Sequence, residues 1–161
     1  MKFSDVISRS FSTAQVARLT GLTPRQLDHW DRRGFVQPSV QRAAGYGSAR
    51  LYSFEDVVLL RVAARLRSAG VGLAKIRRCA EAIGRIGGAR GMGGVRLVVA
   101  GSQILWARSD EELIDLLKGG QLVLVFSLGD TVEETAGEVA RLNREGDRES
   151  EPGRRAAKQI F

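Results

Sequence analysis

The chain has 161 residues, 43% of them hydrophobic and 27% charged, a balance that suits one globular domain of ordinary size or two small ones. Its net charge of +7 is unevenly spread: residues 1–90 hold 16 Lys or Arg against 6 Asp or Glu, whereas residues 91–161 hold 9 against 12. The single cysteine, Cys79, excludes an internal disulfide, a thiolate zinc cage within one chain and a Cys-x-x-Cys redox pair, so a reducing cytoplasmic setting is expected. The N-terminal stretch MKFSDVISRSF has no apolar signal core, and the longest apolar run, LVLVF at 122–126, is too short to span a bilayer. Neither export nor membrane insertion is expected. A basic half joined to a mildly acidic one points to a polyanion partner, nucleic acid above all, because neutralised phosphates release counterions.

The first helix in chain order is STAQVARL, with Ser12 as N-cap and Val16, Ala17 and Leu19 facing inward, and it reaches Gly21 at a tight turn. A second helix restarts at once, with Thr23 as N-cap and Pro24 at the first helical position, and stops at Gly34. The pair reads as a helix-turn-helix. After the glycine-containing stretch 36–52, a Ser53/Asp56 capping box opens a third helix burying Val58, Leu59, Val62, Ala63 and Leu66. A fourth, about 73–86, repeats the period with Ile76, Cys79, Ala80 and Ile83, so Cys79 reads as core.

Between Gly84 and Gly94, six of eleven residues are glycine and no period survives, which reads as a linker. The stretch lacks the Lys-Ser/Thr ending of a P-loop and the preceding strand of a dinucleotide fingerprint, so no nucleotide site and no cofactor is expected. The period then changes to two. VRLVVA and QILWAR are strands joined by a Gly-Ser turn, and Ser109/Glu112 caps the helix DEELIDLLK. QLVLVFSL is a third strand, and Thr131/Glu134 caps a last helix through Asn143. Residues 143–161, dense in charge, read as a disordered tail. A three-stranded sheet of this size has exposed edges and little core, so pairing with a second copy through residues 95–142 is expected.

The run FSTAQVARLTGLTPRQLDHWDRRGFVQP, then GYGSARLYS, then FEDVVLLRVAARLRSAGVGLAKIRRC resembles, in order and spacing, the DNA-binding domain of the MerR family of bacterial transcription regulators. The resemblance covers about residues 11–86. It implies a winged helix-turn-helix of four helices plus a wing over residues 1–86; with the linker 87–94, the ββαβα module 95–142 and the tail 143–161 read above from composition and period, the chain is expected to be α+β. In that family two protomers place their second helices in successive major grooves of double-stranded DNA and bend the spacer between promoter elements, with RNA polymerase a further candidate partner.

Carried over residue by residue, the resemblance makes Arg25 and Gln26 base readers in the first turn of the recognition helix, Arg favouring guanine and Gln adenine. Thr23 would hold a phosphate at the same helix terminus. Arg42, Tyr46 and Arg50 in a wing that ends on Arg50-Leu51-Tyr52, and Arg61 on the third helix, match backbone-contacting positions, and Tyr52 is expected among the DNA-binding residues with them. His29 faces the backbone, where it would bind phosphate more strongly when protonated. Two departures stand out. Where many relatives have Arg followed by two aromatics, this chain has Asp28, His29 and Trp30, and Asp28 has two open readings, a cytosine N4 acceptor or a repellent of phosphate. In place of the family's long coiled-coil helix, this chain breaks in glycines.

No metal site is expected, since His29 has no second histidine or cysteine beside it, and no enzyme, since nothing assembles nucleophile, base and stabiliser. The leading function is a homodimeric, promoter-bending transcription regulator of the cytoplasm, associated with the nucleoid. The alternative is an architectural, excisionase-like DNA bender that recruits a partner through its C-terminal module. A small-molecule pocket beside Trp106 and Phe126 is a weaker option for that module.

Overall fold

Short capping motifs set most helix starts, and the chain between them is pulled into one shared core. The computed structural model describes residues 2–45, 48–101, 103–120 and 123–149. The first half contains α1 (Phe3–Ile7), β1 (Ser10–Ser12), α2 (Thr13–Thr20), α3 (Pro24–Arg32), β2 (Leu51–Ser53), α4 (Phe54–Ser68), α5 (Leu73–Gly84) and α6 (Gly88–Gly91). The second contains β3 (Arg96–Ala100), β4 (Gln103–Ala107), α7 (Asp110–Leu117), β5 (Val123–Ser127) and α8 (Leu128–Glu149). The chain is therefore α+β, with helices and two small antiparallel sheets.

Ser12, Thr23, Ser53 and Ser109 cap α2, α3, α4 and α7, each accepting a hydrogen bond from the backbone N–H three residues on. In the first three the N3 side chain returns a bond to the cap N–H, completing the capping box. Gly21, at φ 73°, turns the chain from α2 into α3, a conformation that a side chain with a Cβ resists. Asp56 does more than cap. Its Oδ2 accepts from Ser53 N at 2.9 Å and from Ser39 N and Oγ at 2.8 and 2.7 Å, so it also pins the loop that follows α3.

Two elements of the first half have no periodic signal. β1 pairs antiparallel with β2, Phe11 opposite Tyr52, and α1 packs its Val6 inward while Phe3 meets Phe54 edge-on at 6.3 Å. A bridge between Gln41 and Leu51 closes the wing loop, of which Tyr46 and Gly47 lie outside the described residues.

In the second sheet β3 is central, flanked by β4 and β5, both antiparallel to it. Leu97 and Val99, with Ile104, Trp106 and Phe126, press one face of that sheet toward the helices of the first half. One cluster of buried side chains runs from Val16, Leu27 and Trp30 through Leu60, Ile76 and Ile83 to Leu97, Leu128 and Val139. Through this core α8 packs against α4, α1 and α2.

Three expectations need correction. Residues 87–94, read as a linker from their glycines, contain α6, and Ala89 and Met92 are buried at 5% and 1% exposure, so the segment is part of the core. Its glycines permit close approach: a Cβ on Gly91 would lie 2.1 Å from the Ile86 carbonyl oxygen, and the first turn of α8 lies against the backbone of Gly93 and Gly94. The last helix begins at Leu128 rather than after Thr131. Asp130 N donates to Ser127 Oγ at 3.1 Å, while Thr131, fully buried, turns its hydroxyl back to donate to the Ser127 carbonyl. The part of the expected tail that is described, 143–149, is helical, because Leu142 reaches the core and Glu145 pairs with Arg18 at 3.0 Å. Residues 150–161 lie outside the described residues.

Candidate nucleic-acid interface

The helix α3 is held by Leu27 and Trp30, 1% and 3% exposed, which dock it onto the core and turn the opposite side outward. Trp30 also meets Phe35 edge-on at 6.3 Å, fixing the chain as it leaves the helix. On the outward side Thr23, Arg25, Gln26, His29, Arg32 and Arg33 are exposed. Arg25 and His29 are four residues apart and so stack one above the other on that side.

Thr23 and Gln26 are already engaged with each other. Gln26 N donates to Thr23 Oγ1 at 3.1 Å, and Gln26 Oε1 accepts from Thr23 N at 2.9 Å. A two-bond reading of adenine needs both ends of the Gln26 amide, so it would have to open the capping box.

The acidic departure at Asp28 has a structural partner. The Arg50 fork spans two carboxylates on one face of α3: its Nη2 donates to Asp28 Oδ1 at 2.5 Å and its Nε to Asp31 Oδ2 at 2.7 Å. Arg32 Nε approaches Asp28 Oδ2 at 3.1 Å, and Arg42 Nη2 lies 3.8 Å from Asp31 Oδ1. Hydrogen bonding to Asp31 is the largest influence on Arg50 and raises its pKa, outweighing the lowering by burial. The result is a clamp that fixes the end of the loop before β2 to α3. Asp31 Oδ1 is buried without a hydrogen bond of its own, and Arg42, whose side chain is 62% exposed, approaches it at 3.8 Å.

Three residues expected to bind DNA are placed inward or paired. Arg50 is spent on the clamp, with a side chain only 21% exposed. Tyr52 is fully buried between β1 and the helices, where burial pushes its phenol pKa up. Arg61, 11% exposed, makes a two-bond contact with Glu138 of α8 at 2.8 and 3.1 Å. Arg42 remains outward. Tyr46 lies outside the described residues. The i, i+3 spacing of Asp28 and Asp31 by itself puts both carboxylates on one face of α3, but their shared partner, Arg50, is not foreseen from the sequence.

Among the described residues no group of three or more His, Cys, Asp or Glu is placed to hold a metal, and no helix is long and apolar enough to cross a membrane. Burial raises the Cys79 thiol to about 11, which keeps it protonated.

Compared with known proteins, residues 11–83 match the family model described as MerR HTH family regulatory protein. Uncharacterized HTH-type transcriptional regulators of Mycobacterium tuberculosis and Mycobacterium bovis are 37% identical to the chain over 137 residues, 85% of this chain and 59% of theirs. A putative heat shock protein HspR of Streptomyces coelicolor is 44% identical over 66 residues, 40% of this chain and 41% of its own. The chain spans 59% of the length of the mycobacterial relatives, and the likeness to them extends well beyond the helix-turn-helix.

Proposed function

Residues 11–83 are a MerR-family helix-turn-helix domain, and on that premise we propose that the chain is a sequence-specific DNA-binding transcription regulator. The observation that carries the reading is the outward side of α3, where Arg25 and His29 are exposed and Arg42 lies exposed on the neighbouring loop. Arg25 reads a base edge, and Arg42 contacts backbone phosphate. The protein acts as a homodimer through residues 95–142, which sets two copies of α3 in successive major grooves and bends the DNA between them. RNA polymerase is then a neighbour at the promoter. The regulator names of the relatives support this reading over an excisionase-like one.

A genome-wide binding map supplies the operator, and anisotropy titrations on it test the roles. Replacing Arg25 by Ala is expected to cost about 1–3 kcal/mol on the operator and little on random DNA. Replacing Arg42 by Ala is expected to weaken both alike and to lower the salt slope by about 0.9 for one lost phosphate contact. Equal losses from both variants on both DNAs would overturn the assignment. Sedimentation of the full chain at micromolar concentration tests the dimer, and a monomer bound singly to DNA would remove it.

A further inference from the structure

A cavity of about 400 Å³ opens between α5 and β4, lined by Lys75, Arg78 and Cys79 of the helix and by Gln103 through Trp106 of the strand. Its volume lies within the range of small-molecule sites, about 300–1,000 Å³. Its chemistry is divided. Ile104 and Trp106, on the same face of β4, offer an apolar wall, while α5 on the other side brings buried Cys79 and, within one turn, the two positive charges of Lys75 and Arg78. Among the described residues neither cation is in an ion pair.

A second opening, about 550 Å³ between α4 and β5, differs in the respect that matters. It also contains two arginines, Arg61 and Arg65, but Glu138 and Glu134 of α8 already neutralise them. Of these two, and among the described residues, it is the α5–β4 cavity that combines an aromatic wall with positive charge not already paired. The thiol pKa near 11 leaves Cys79 a packed apolar group there rather than a nucleophile.

We propose that the α5–β4 cavity is a binding site for a small amphipathic organic anion, an aromatic or acyl carboxylate or sulfonate, with its apolar part against Trp106 and its acid between Lys75 and Arg78. A ring against Trp106 is desolvated together with it, and the acid gains charge-assisted hydrogen bonds from two cations that point at the same opening. The site lies where the sheet meets α5, a position typical of ligand pockets between packed units. The proposal is independent of DNA binding.

The probe is 8-anilinonaphthalene-1-sulfonate, titrated into the full chain and followed by its own fluorescence and by energy transfer from tryptophan. Saturable one-to-one binding at micromolar concentration is expected, weakened at least tenfold in the Lys75→Gln/Arg78→Gln double variant. Trp106→Leu is expected to lower affinity and remove most of the energy transfer, whereas Trp30→Phe should leave both nearly unchanged. The uncharged analogue N-phenyl-1-naphthylamine should bind at least tenfold more weakly. Near-UV circular dichroism of every variant separates loss of the site from loss of packing, since a loosened core binds this dye without stoichiometry. Absence of saturable binding to the native chain would overturn the proposal, as would equal affinity in a well-packed double variant or equal binding of the uncharged analogue.

Discussion

Arg50 shows how a residue type that suggests one role acquires another from its neighbours. A guanidinium at the end of a wing suits a phosphate, yet here its planar fork matches two carboxylates spaced three residues apart on α3. Removing it would leave Asp31, 8% exposed at its side chain, without its hydrogen-bonding cation. Arg50→Ala is therefore expected to lower unfolding stability by about 1.5–3 kcal/mol, the range of hydrogen bonds to charged groups, as measured by urea denaturation. Arg50→Lys should recover only part of this, because a point charge cannot span both carboxylates. Full recovery by lysine would mean the clamp acts by charge alone. Asp28 is explained by the same geometry: its carboxylate is already held by Arg50 and Arg32, so a cytosine contact would have to compete with them. Cys79 makes a simpler case. With its thiol raised to about 11 by burial, alkylation at pH 8 should be negligible in the folded chain and complete in denaturant. Rapid labelling of the native protein would contradict the packing.

Among the elements, helix starts were the most legible feature and the glycine-rich segment the least. Ser12, Thr23, Ser53 and Ser109 announce their helices because a cap is local chemistry, a hydroxyl and an N–H three residues apart. The start of α8 was misread because Ser127/Asp130 and Thr131/Glu134 carry the same local pattern, and the burial of Leu128 and Thr131 decided between them. In the glycine-rich segment, a run suggesting freedom holds a short helix whose glycines serve close contact. Two substitutions separate these roles. Gly91→Ala would drive a Cβ to 2.1 Å from the Ile86 carbonyl, and is expected to cost about 1–3 kcal/mol as an overpacking change. Gly84→Ala, in open space at the end of α5, should instead be neutral or stabilise by about 0.5–1 kcal/mol as a helical glycine replaced. Thermal unfolding of the pair checks this, and two equal shifts would show that Gly91 is a flexible joint after all.

For the whole molecule, α8 turns a chain with a basic half and an acidic half into one body. Its Glu134, Glu138 and Glu145 meet Arg65, Arg61 and Arg18, and its Leu128, Val132 and Val139 enter the core shared with α4. Charge that composition assigned to a polyanion partner is thus partly answered within the chain. Glu138→Ala leaves Arg61 largely buried without its two-bond partner, and is expected to cost about 1.5–3 kcal/mol and to lower the melting temperature of the whole chain in one transition. Two separate transitions would show that the halves unfold independently.

Read as a string, residues 11–86 already carry the helix-turn-helix, its caps and its inward stripes, because each depends on spacings of three or four residues. The same holds for Cys79 as core. The pairing of β1 with β2, the docking of α8 on α4 and the placement of Arg50, Tyr52 and Arg61 depend on residues 19 to 77 positions apart. No local pattern encodes such meetings. Which arginines face outward and which are neutralised is settled only when distant carboxylates arrive beside them, since a charge's role is set by what lies within a few ångströms of it.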